Sequence, residues 1–451
     1  MKIKILFSGL SILALFTAAV PAQTLDKAKL DRFFDKLAEK NKAMGSLTIT
    51  KDGGVLYTRS IGYSRVTGAE TKPITAVSKF RIGSITKMFT AAIVFQLMEE
   101  KKLKPADTLD KFFPQIANAG KITIMQILAH RSGIHDSLID KNLRTVPRTE
   151  PITKEQMIAL IAKGAPDFEP GEKHLYSNSG YAVLGLVIEK ITGRSYDEAL
   201  RKRIASKIGL RNTYLATGNI DAGKNEALTY NNFGEGWKPV EETHPSNLFS
   251  AGGIVSTPDD LVRFITALFD GKIVSKEHLA LMKTMREGDG IGMEPFEFAG
   301  KTFYGHTGGA DNYGAWLAYM PEEKLAFAYA TNAKVYPVKD IVSGVTDIYY
   351  GKTFQIPSFE PVAVGTEILD KYAGVYSTPD APVKFTITRE GATLYALPPG
   401  QSKPVPLEAT AADKFKIDNG TPAGIVIEFD LSKNQMTIRR GGGERVFTKE
   451  K

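Results

Sequence analysis

Residues 302–332, TFYGHTGGADNYGAWLAYMPEEKLAFAYATN, read as strands with Pro321-Glu322-Glu323-Lys324 as a hairpin turn. An isolated hairpin is marginal in water, so these strands need partners. Near the other end of the chain, Ser46–Thr50 and Val55–Tyr63 alternate apolar and polar residues around Asp52-Gly53-Gly54, which is a second hairpin signal. Between about Ser84 and Glu287 the pattern is mostly helical, with runs at Ser84–Lys102, Ile122–Ala129, Thr153–Lys163, Asn178–Ile191, Tyr196–Ile208 and Pro258–Phe269. Further helical patterns cover Leu25–Ala43 and Asp340–Tyr350. The economical solution joins both hairpins in one antiparallel sheet and packs the helical block beside it, an α+β layout.

Outward from that region, Gln355–Gly365 holds two prolines and little periodicity and reads as a linker. Residues 366–451 then carry short alternating runs at Lys384–Arg389, Thr393–Leu397, Lys414–Ile417, Ile425–Phe429, Met436–Arg440 and Arg445–Thr448. These predict a small, barrel-like all-β domain. At the other end, Lys2 and Lys4 precede an apolar stretch, Ile5–Val20, and then Val20-Pro21-Ala22. That order predicts a signal peptide over residues 1–22, cleaved after Ala22. The expected organisation is therefore a leader at 1–22, a main domain at 23–354, a linker at 355–365 and a β domain at 366–451. The protein is expected to act outside the cytoplasm, periplasmic or secreted, with no membrane anchor after cleavage.

The 451 residues are 43% hydrophobic and 24% charged, ordinary for a globular protein and unlike a disordered or polytopic membrane chain. The net charge of +8 is spread along the chain without a basic block, which points away from nucleic acid. With no cysteine, the chain has no disulfides, thiolate metal sites or thiol nucleophile. The remaining histidines lack metal-ligand spacing, so neither a metal nor an organic cofactor is expected.

Three short motifs carry possible chemistry. Ser84-Ile85-Thr86-Lys87 puts a serine at a helix start, with a lysine three residues on and on the same face. Such a serine, beside an amine that can be held neutral, is an activated nucleophile; alone, the motif reads equally as an N-cap and a surface lysine. Tyr176-Ser177-Asn178 precedes a helical run: a proton-shuttling tyrosine and an amide-binding asparagine, or simply a turn with an asparagine cap. A second Y-x-N, Tyr230-Asn231-Asn232, has no helical run after it and ranks lower. Third, Tyr304-Gly305-His306-Thr307-Gly308-Gly309 ends a strand, where glycines let a substrate approach backbone N–H groups. Elsewhere, Ser256-x-x-Asp259 reads as a capping box for the Pro258–Phe269 helix, and His130 as a loop-shaping residue.

Taken in this order and at these separations, S-x-x-K, Y-x-N and H-x-G make the chain similar to the serine β-lactamase and penicillin-recognising D,D-peptidase superfamily, in its class C-like branch. The stretches 127–133 and 251–260 also resemble that family, and the likeness covers about Leu25–Lys352. The resemblance implies that Ser84 attacks a carbonyl to form an acyl-enzyme, with Lys87 and Tyr176 sharing the acid–base work. By the same resemblance Asn178 binds the substrate amide, and the N–H groups of Ser84 and Gly309, beside Gly308, form the oxyanion hole. His306 stands beside the leaving group or the substrate carboxylate. Where dedicated class C enzymes carry K-T-G this chain has His306-Thr307-Gly308, similar to some D,D-peptidases, D-aminopeptidases and esterases. That points away from efficient antibiotic hydrolysis. Near neutral pH a histidine there would be partly charged and would hold a carboxylate as a cation. The implied substrates are small molecules or peptides ending in D-residues, such as cell-wall stem peptides, then esters and β-lactams. The alternatives are a carboxylesterase of the same fold and a non-catalytic penicillin-binding type protein. The sequence leaves the oligomeric state open.

Overall fold

The computed structural model describes residues 25–450 apart from 69, 233–235, 285–289, 361, 380, 400–402, 418–424 and 441–442. The leader expected at residues 1–22 lies outside the described residues. Helix α1 (Lys27–Glu39) leads into strands β1 (Met44–Lys51) and β2 (Gly54–Ile61). The helical block follows, and three of its helices matter here: α2 (Thr86–Glu99), α3 (Asn178–Thr192) and α4 (Pro258–Phe269). Strands β3 (Glu294–Phe298), β4 (Lys301–Ala310), β5 (Tyr313–Met320) and β6 (Leu325–Ala333) come next, and helix α5 (Val338–Tyr349) closes the unit.

These six strands form one antiparallel sheet in the order β3-β4-β5-β6-β1-β2. The N-terminal hairpin joins through β1 and β6, with Leu47 opposite Tyr329 and Ile49 opposite Phe327. The sheet expected from the two ends of the region is thus present, in an α+β layout.

The sequence of β6 shows how this sheet is covered on both faces. Successive strand residues point to opposite sides. Leu325, Phe327 and Tyr329 join a core with Phe33 and Phe34 of α1 and Val345 of α5. Ala326, Ala328 and Ala330 join the other core, with Leu261, Phe264 and Ile265 of α4. Large side chains fill one interface, and methyl groups leave room for a helix on the other. Helix α2 lies within this second core and is buried from Thr86 to Met98, so it has no polar face. Its Phe89 stacks on Phe264 of α4 at 3.7 Å between ring centroids. Burying each such ring contributes about 1.5–3 kcal/mol.

Beyond α5, the described residues between 351 and 365 form no helix or strand, yet several of them lie against the main unit. Phe354 packs on Phe33 at 5.0 Å, Phe359 on Tyr336 at 5.1 Å, and Lys40 pairs with Glu360 at 2.7 Å. Helix α6 (Thr366–Tyr372) then precedes eight strands. They are β7 (Gly374–Thr378), β8 (Ala381–Glu390), β9 (Thr393–Leu397), β10 (Val405–Ala409), β11 (Lys414–Ile417), β12 (Ile425–Asp430), β13 (Gln435–Arg440) and β14 (Gly443–Lys449). They close into an antiparallel barrel. Six correspond to the alternating runs; β7, β10 and α6 were not foreseen. Pro406 within β10 masks a strand, because proline removes a ladder donor. Helix α6 turns Leu369 and Tyr372 into the barrel core with Phe415 and Phe429.

Candidate active site

Ser84 sits in a tight single turn, Gly83–Ile85, that runs into α2. Gly83 has φ +52°, a left-handed conformation that favours glycine, and a Cβ there would stand 2.4 Å from the Gly309 nitrogen. Across the seam, a Cβ on Gly308 would lie 1.9 Å from the Ile82 carbonyl oxygen. Glycines on both sides therefore let the Ser84 turn press against the end of β4.

At the second position of α2, one turn after Ser84, Lys87 is fully buried. Its Nζ lies 3.1 Å from Ser84 Oγ, 2.8 Å from Asn178 Oδ1 and 2.7 Å from the Ala251 carbonyl oxygen. Burial pushes its pKa down to about 7; Asp136 and then Glu294 oppose that shift. The two carbonyl oxygens accept hydrogen bonds and cannot donate. A neutral Lys87 therefore spends two N–H bonds on them, and its lone pair faces Ser84 Oγ.

Helix α3 supplies the next side chains. Ser177 is its N-cap, with Oγ accepting from the Gly180 N–H, so the asparagine is not the cap. Asn178, at the first helical position, is free to hold Lys87 through Oδ1 and donates from Nδ2 to Asp136 Oδ2 at 2.8 Å. Asp136 also accepts from the Ser179 N–H at 3.1 Å and from Ser179 Oγ at 3.2 Å. Both ends of the Asn178 amide are thus engaged, which fixes its orientation; a second Nδ2 hydrogen is left for a substrate. Asp136 was not singled out from the sequence. Its only sequence signal is its place on the loop just after Ser132-Gly133.

Tyr176 lies over Lys87, with Nζ 4.7 Å from the ring centroid. Its ring stacks on His130 at 4.4 Å, and His130 Nδ1 accepts from the Ser177 N–H. His130 thus shapes its loop, as expected, and also backs the tyrosine. By contrast, Tyr230 is buried in a short strand with its hydroxyl accepting from the Val66 N–H at 2.7 Å. It is outside the cluster.

His306 corrects one expectation. It is buried, and desolvation followed by the nearby Lys87 charge pushes its pKa down to about 3. Its Nδ1 donates to the Thr307 carbonyl, and its Nε2 is 3.6 Å from Glu294 Oε1. Burial thus disfavours the charged ring that was expected to hold a carboxylate, and the ring lies 6.5 Å from that of Tyr176 between centroids.

Ser84, Tyr176, Asn178 and Gly309 line one cleft of about 370 Å³, with Lys87 beneath Ser84. The same cleft is also lined by Arg148, Asn247, Asp311 and Lys334, none of them marked by a sequence motif. Among the described residues, no group of three or more His, Asp or Glu side chains is gathered to hold a metal ion.

The family model described as Beta-lactamase matches residues 30–344. Penicillin-binding protein 4 of Amycolatopsis lactamdurans is 28% identical over 343 residues, covering 69% of this chain and 86% of that one. Teichoic acid D-alanine hydrolase of Staphylococcus aureus is 27% identical over 252 residues, covering 53% of this chain and 58% of its own. Among solved structures, the octameric penicillin-binding protein homologue from Pyrococcus abyssi superposes with a TM-score of 0.65 at 27% identity, over 94% of this chain and all of that one.

Proposed function

The chain belongs to the beta-lactamase family, and from that premise we propose that it is an exported serine hydrolase working through an acyl-enzyme on D-aminoacyl esters, amides and peptides. One observation carries the reading: a fully buried lysine, its pKa near 7, stands 3.1 Å from the Ser84 hydroxyl. In the proposed sequence, Lys87 takes the Ser84 proton as Oγ bonds to the substrate carbonyl carbon. The oxyanion meets the N–H groups of Ser84 and Gly309. The bond to the leaving group breaks as Tyr176 delivers a proton to it. Water then attacks the acyl carbon with its proton drawn off by the same pair, and Ser84 is released.

The similarity to a protein named for D-alanine hydrolysis supports the substrate class. The Lys2, Lys4 and Val20-Pro21-Ala22 pattern supports export. Among the described residues no helix is long and apolar enough to cross a membrane. Because burial disfavours the charged form of His306, a carboxylesterase of this fold is the second reading. The test is a matched panel of D- and L-alanyl amides, D-alanyl-D-alanine peptides and simple esters, run beside labelling with a fluorescent penicillin. Turnover of D-alanyl substrates over their L-counterparts supports the proposal. Turnover of esters without regard to the acyl stereocentre selects the esterase reading, and labelling without turnover selects a binding protein.

A further inference from the structure

Behind the cleft, a buried ion pair has no assigned work. Arg81 ends the short strand Phe80–Arg81, three residues before Ser84, and is 2% exposed. Its Nε donates to Glu242 Oε2 at 3.2 Å and its Nη2 to the Gly218 carbonyl at 3.2 Å, while Nη1 is buried without a hydrogen-bond partner among the described residues. The other oxygen of the same carboxylate, Glu242 Oε1, lies 2.8 Å from the hydroxyl of Tyr313. That ring is fully buried, and its hydroxyl is also 2.6 Å from the Ala227 carbonyl oxygen. Tyr313 stands opposite Ala310 in the β4–β5 pairing, with Gly314 opposite Gly309. Thr243, the residue after Glu242, holds the turn between β4 and β5 by a second route: its N–H and Oγ1 donate to Asp311 at 2.9 and 2.7 Å. None of Arg81, Glu242 and Tyr313 lines the cleft. One carboxylate therefore joins the segment that leads into the Ser84 turn to the strand that pairs with Gly309. Those two segments carry the N–H groups assigned to the oxyanion. Burial pushes the Glu242 carboxyl above the usual carboxylate range, and the Arg81 charge opposes that shift. A largely buried ion pair is weak evidence of stabilisation, because desolvation offsets the attraction; what it can supply is a single fixed arrangement.

We propose that Glu242 is a positioning residue for the oxyanion hole: holding Arg81 with one oxygen and Tyr313 with the other, it sets the spacing between the Ser84 and Gly309 N–H groups. This rests on the Ser84 acyl-enzyme reading and adds to it a residue outside the cleft. Oxyanion stabilisation needs donors that are already in place as charge develops, and a displacement of about 1 Å can cost about 100-fold in rate. The glycines at the seam let the two segments approach, but with no side chains they do not stop one sliding past the other. The Arg81–Glu242–Tyr313 link does.

The experiment acylates the full chain with a penicillin isotope-labelled at its β-lactam carbonyl and reads the ester carbonyl stretch of the acyl-enzyme by infrared difference spectroscopy. In the parent that band should lie below its position in the same acyl-enzyme after unfolding, because two N–H donors polarise the carbonyl. Glu242→Leu should move the band toward the unfolded position and lower kcat for a D-alanyl ester by about 100-fold, with KM within about threefold. Glu242→Gln should hold the band near the parent's: its amide oxygen can accept from Arg81, and its N–H can donate to the Tyr313 oxygen while Tyr313 donates to the Ala227 carbonyl. Tyr313→Phe removes half of the link with little change in volume and should shift the band the same way by less. It decides the matter if the leucine variant does not fold. The pH midpoint of kcat/KM should stay near 7 in every variant, since Asp136 and Glu294 are the charges that act on Lys87. A band that stays at the parent's position in folded Glu242→Leu, or in Tyr313→Phe, overturns the proposal and leaves the network a contact of the fold alone. A midpoint that moves with the band assigns the loss to Lys87 and overturns it too. A parent that does not acylate, or whose band already sits at the unfolded position, overturns the reading of Ser84 and its oxyanion hole instead, so the two failures are distinguishable.

Discussion

The chain contains two antiparallel β systems that use their strands in opposite ways. The six-stranded sheet is covered on both faces, and its β4 meets the Ser84 turn across a glycine seam. That seam gathers Ser84, Asn178 and His306, which lie on three separate elements far apart in sequence. The eight-stranded barrel closes on itself around Tyr376, Phe415, Phe429 and Phe447, and none of its described residues lines the cleft. Closure removes sheet edges but leaves only one interior, and here apolar rings fill it. An open sheet packed against helices has seams, and at a seam polar groups from distant segments converge. Substitutions at the seam should therefore change chemistry, whereas changes in the barrel should act on stability or on nothing measurable in the reaction.

The largest effect belongs to Ser84. Ser84→Ala should remain folded and lose all covalent labelling by a penicillin or a fluorophosphonate. A labelled alanine variant would move the nucleophile elsewhere. Next comes the contrast between the two tyrosines. Tyr176→Phe should lower kcat by about 10²–10⁴, the usual contribution of a positioned acid–base group. Tyr230→Phe should leave kcat nearly untouched, since its hydroxyl binds backbone outside the cleft. The opposite ranking would place the proton shuttle in the short strand.

A smaller effect reads the electrostatics of Lys87. With its pKa near 7, only the deprotonated amine has a lone pair for Ser84, so kcat/KM for a neutral ester should rise with pH and level off above about 7. His306, near 3, does not titrate in that window. Asp136 opposes the depression of the Lys87 pKa, so Asp136→Asn should move the midpoint to lower pH as well as slowing the enzyme. A midpoint that stays put or rises in Asp136→Asn would show that another group sets the profile.

The comparison also explains what was legible in the sequence. Ser84 and Lys87 were visible because helix geometry fixes a three-residue spacing to one face. The alternation in β1 and β2 was visible because a strand has a period of two. Caps were legible to within a residue: Ser177 and Thr257 are the caps where Asn178 and Ser256 were expected. Neighbouring serine, threonine and asparagine cap almost equally well, and Ser256 instead hydrogen-bonds with Thr213 at 2.9 Å. Asp136, Arg148 and Lys334 were illegible because they stand on loops or at a strand end, and loops carry no period. Their significance arises only where separate segments meet. The disfavoured charge on His306 was illegible for the same reason, since burial set it.

The smallest effect sharpens the division between the two regions. The barrel touches the rest of the molecule lightly: Lys42 and Glu408 approach to 3.9 Å, and the Val362 N–H donates to the Ala409 carbonyl at 3.1 Å. Exposed pairs of this kind contribute under about 1 kcal/mol, so a fragment of residues 23–365 should acylate within about threefold of the full chain. Cutting further back, after Lys352, also removes Phe354, Ile356 and Phe359, which pack on the α1–α5 core. Full burial of such a side chain contributes about 1.5–3 kcal/mol and these three are partly buried, so this shorter fragment should melt lower while keeping the acylation rate of whatever fraction stays folded. Thermal melts and penicillin labelling of the two fragments separate these outcomes. If the 23–365 fragment folds but fails to acylate, the barrel completes the site. If both fragments melt alike, residues 353–365 form a free linker rather than a strap on the main unit.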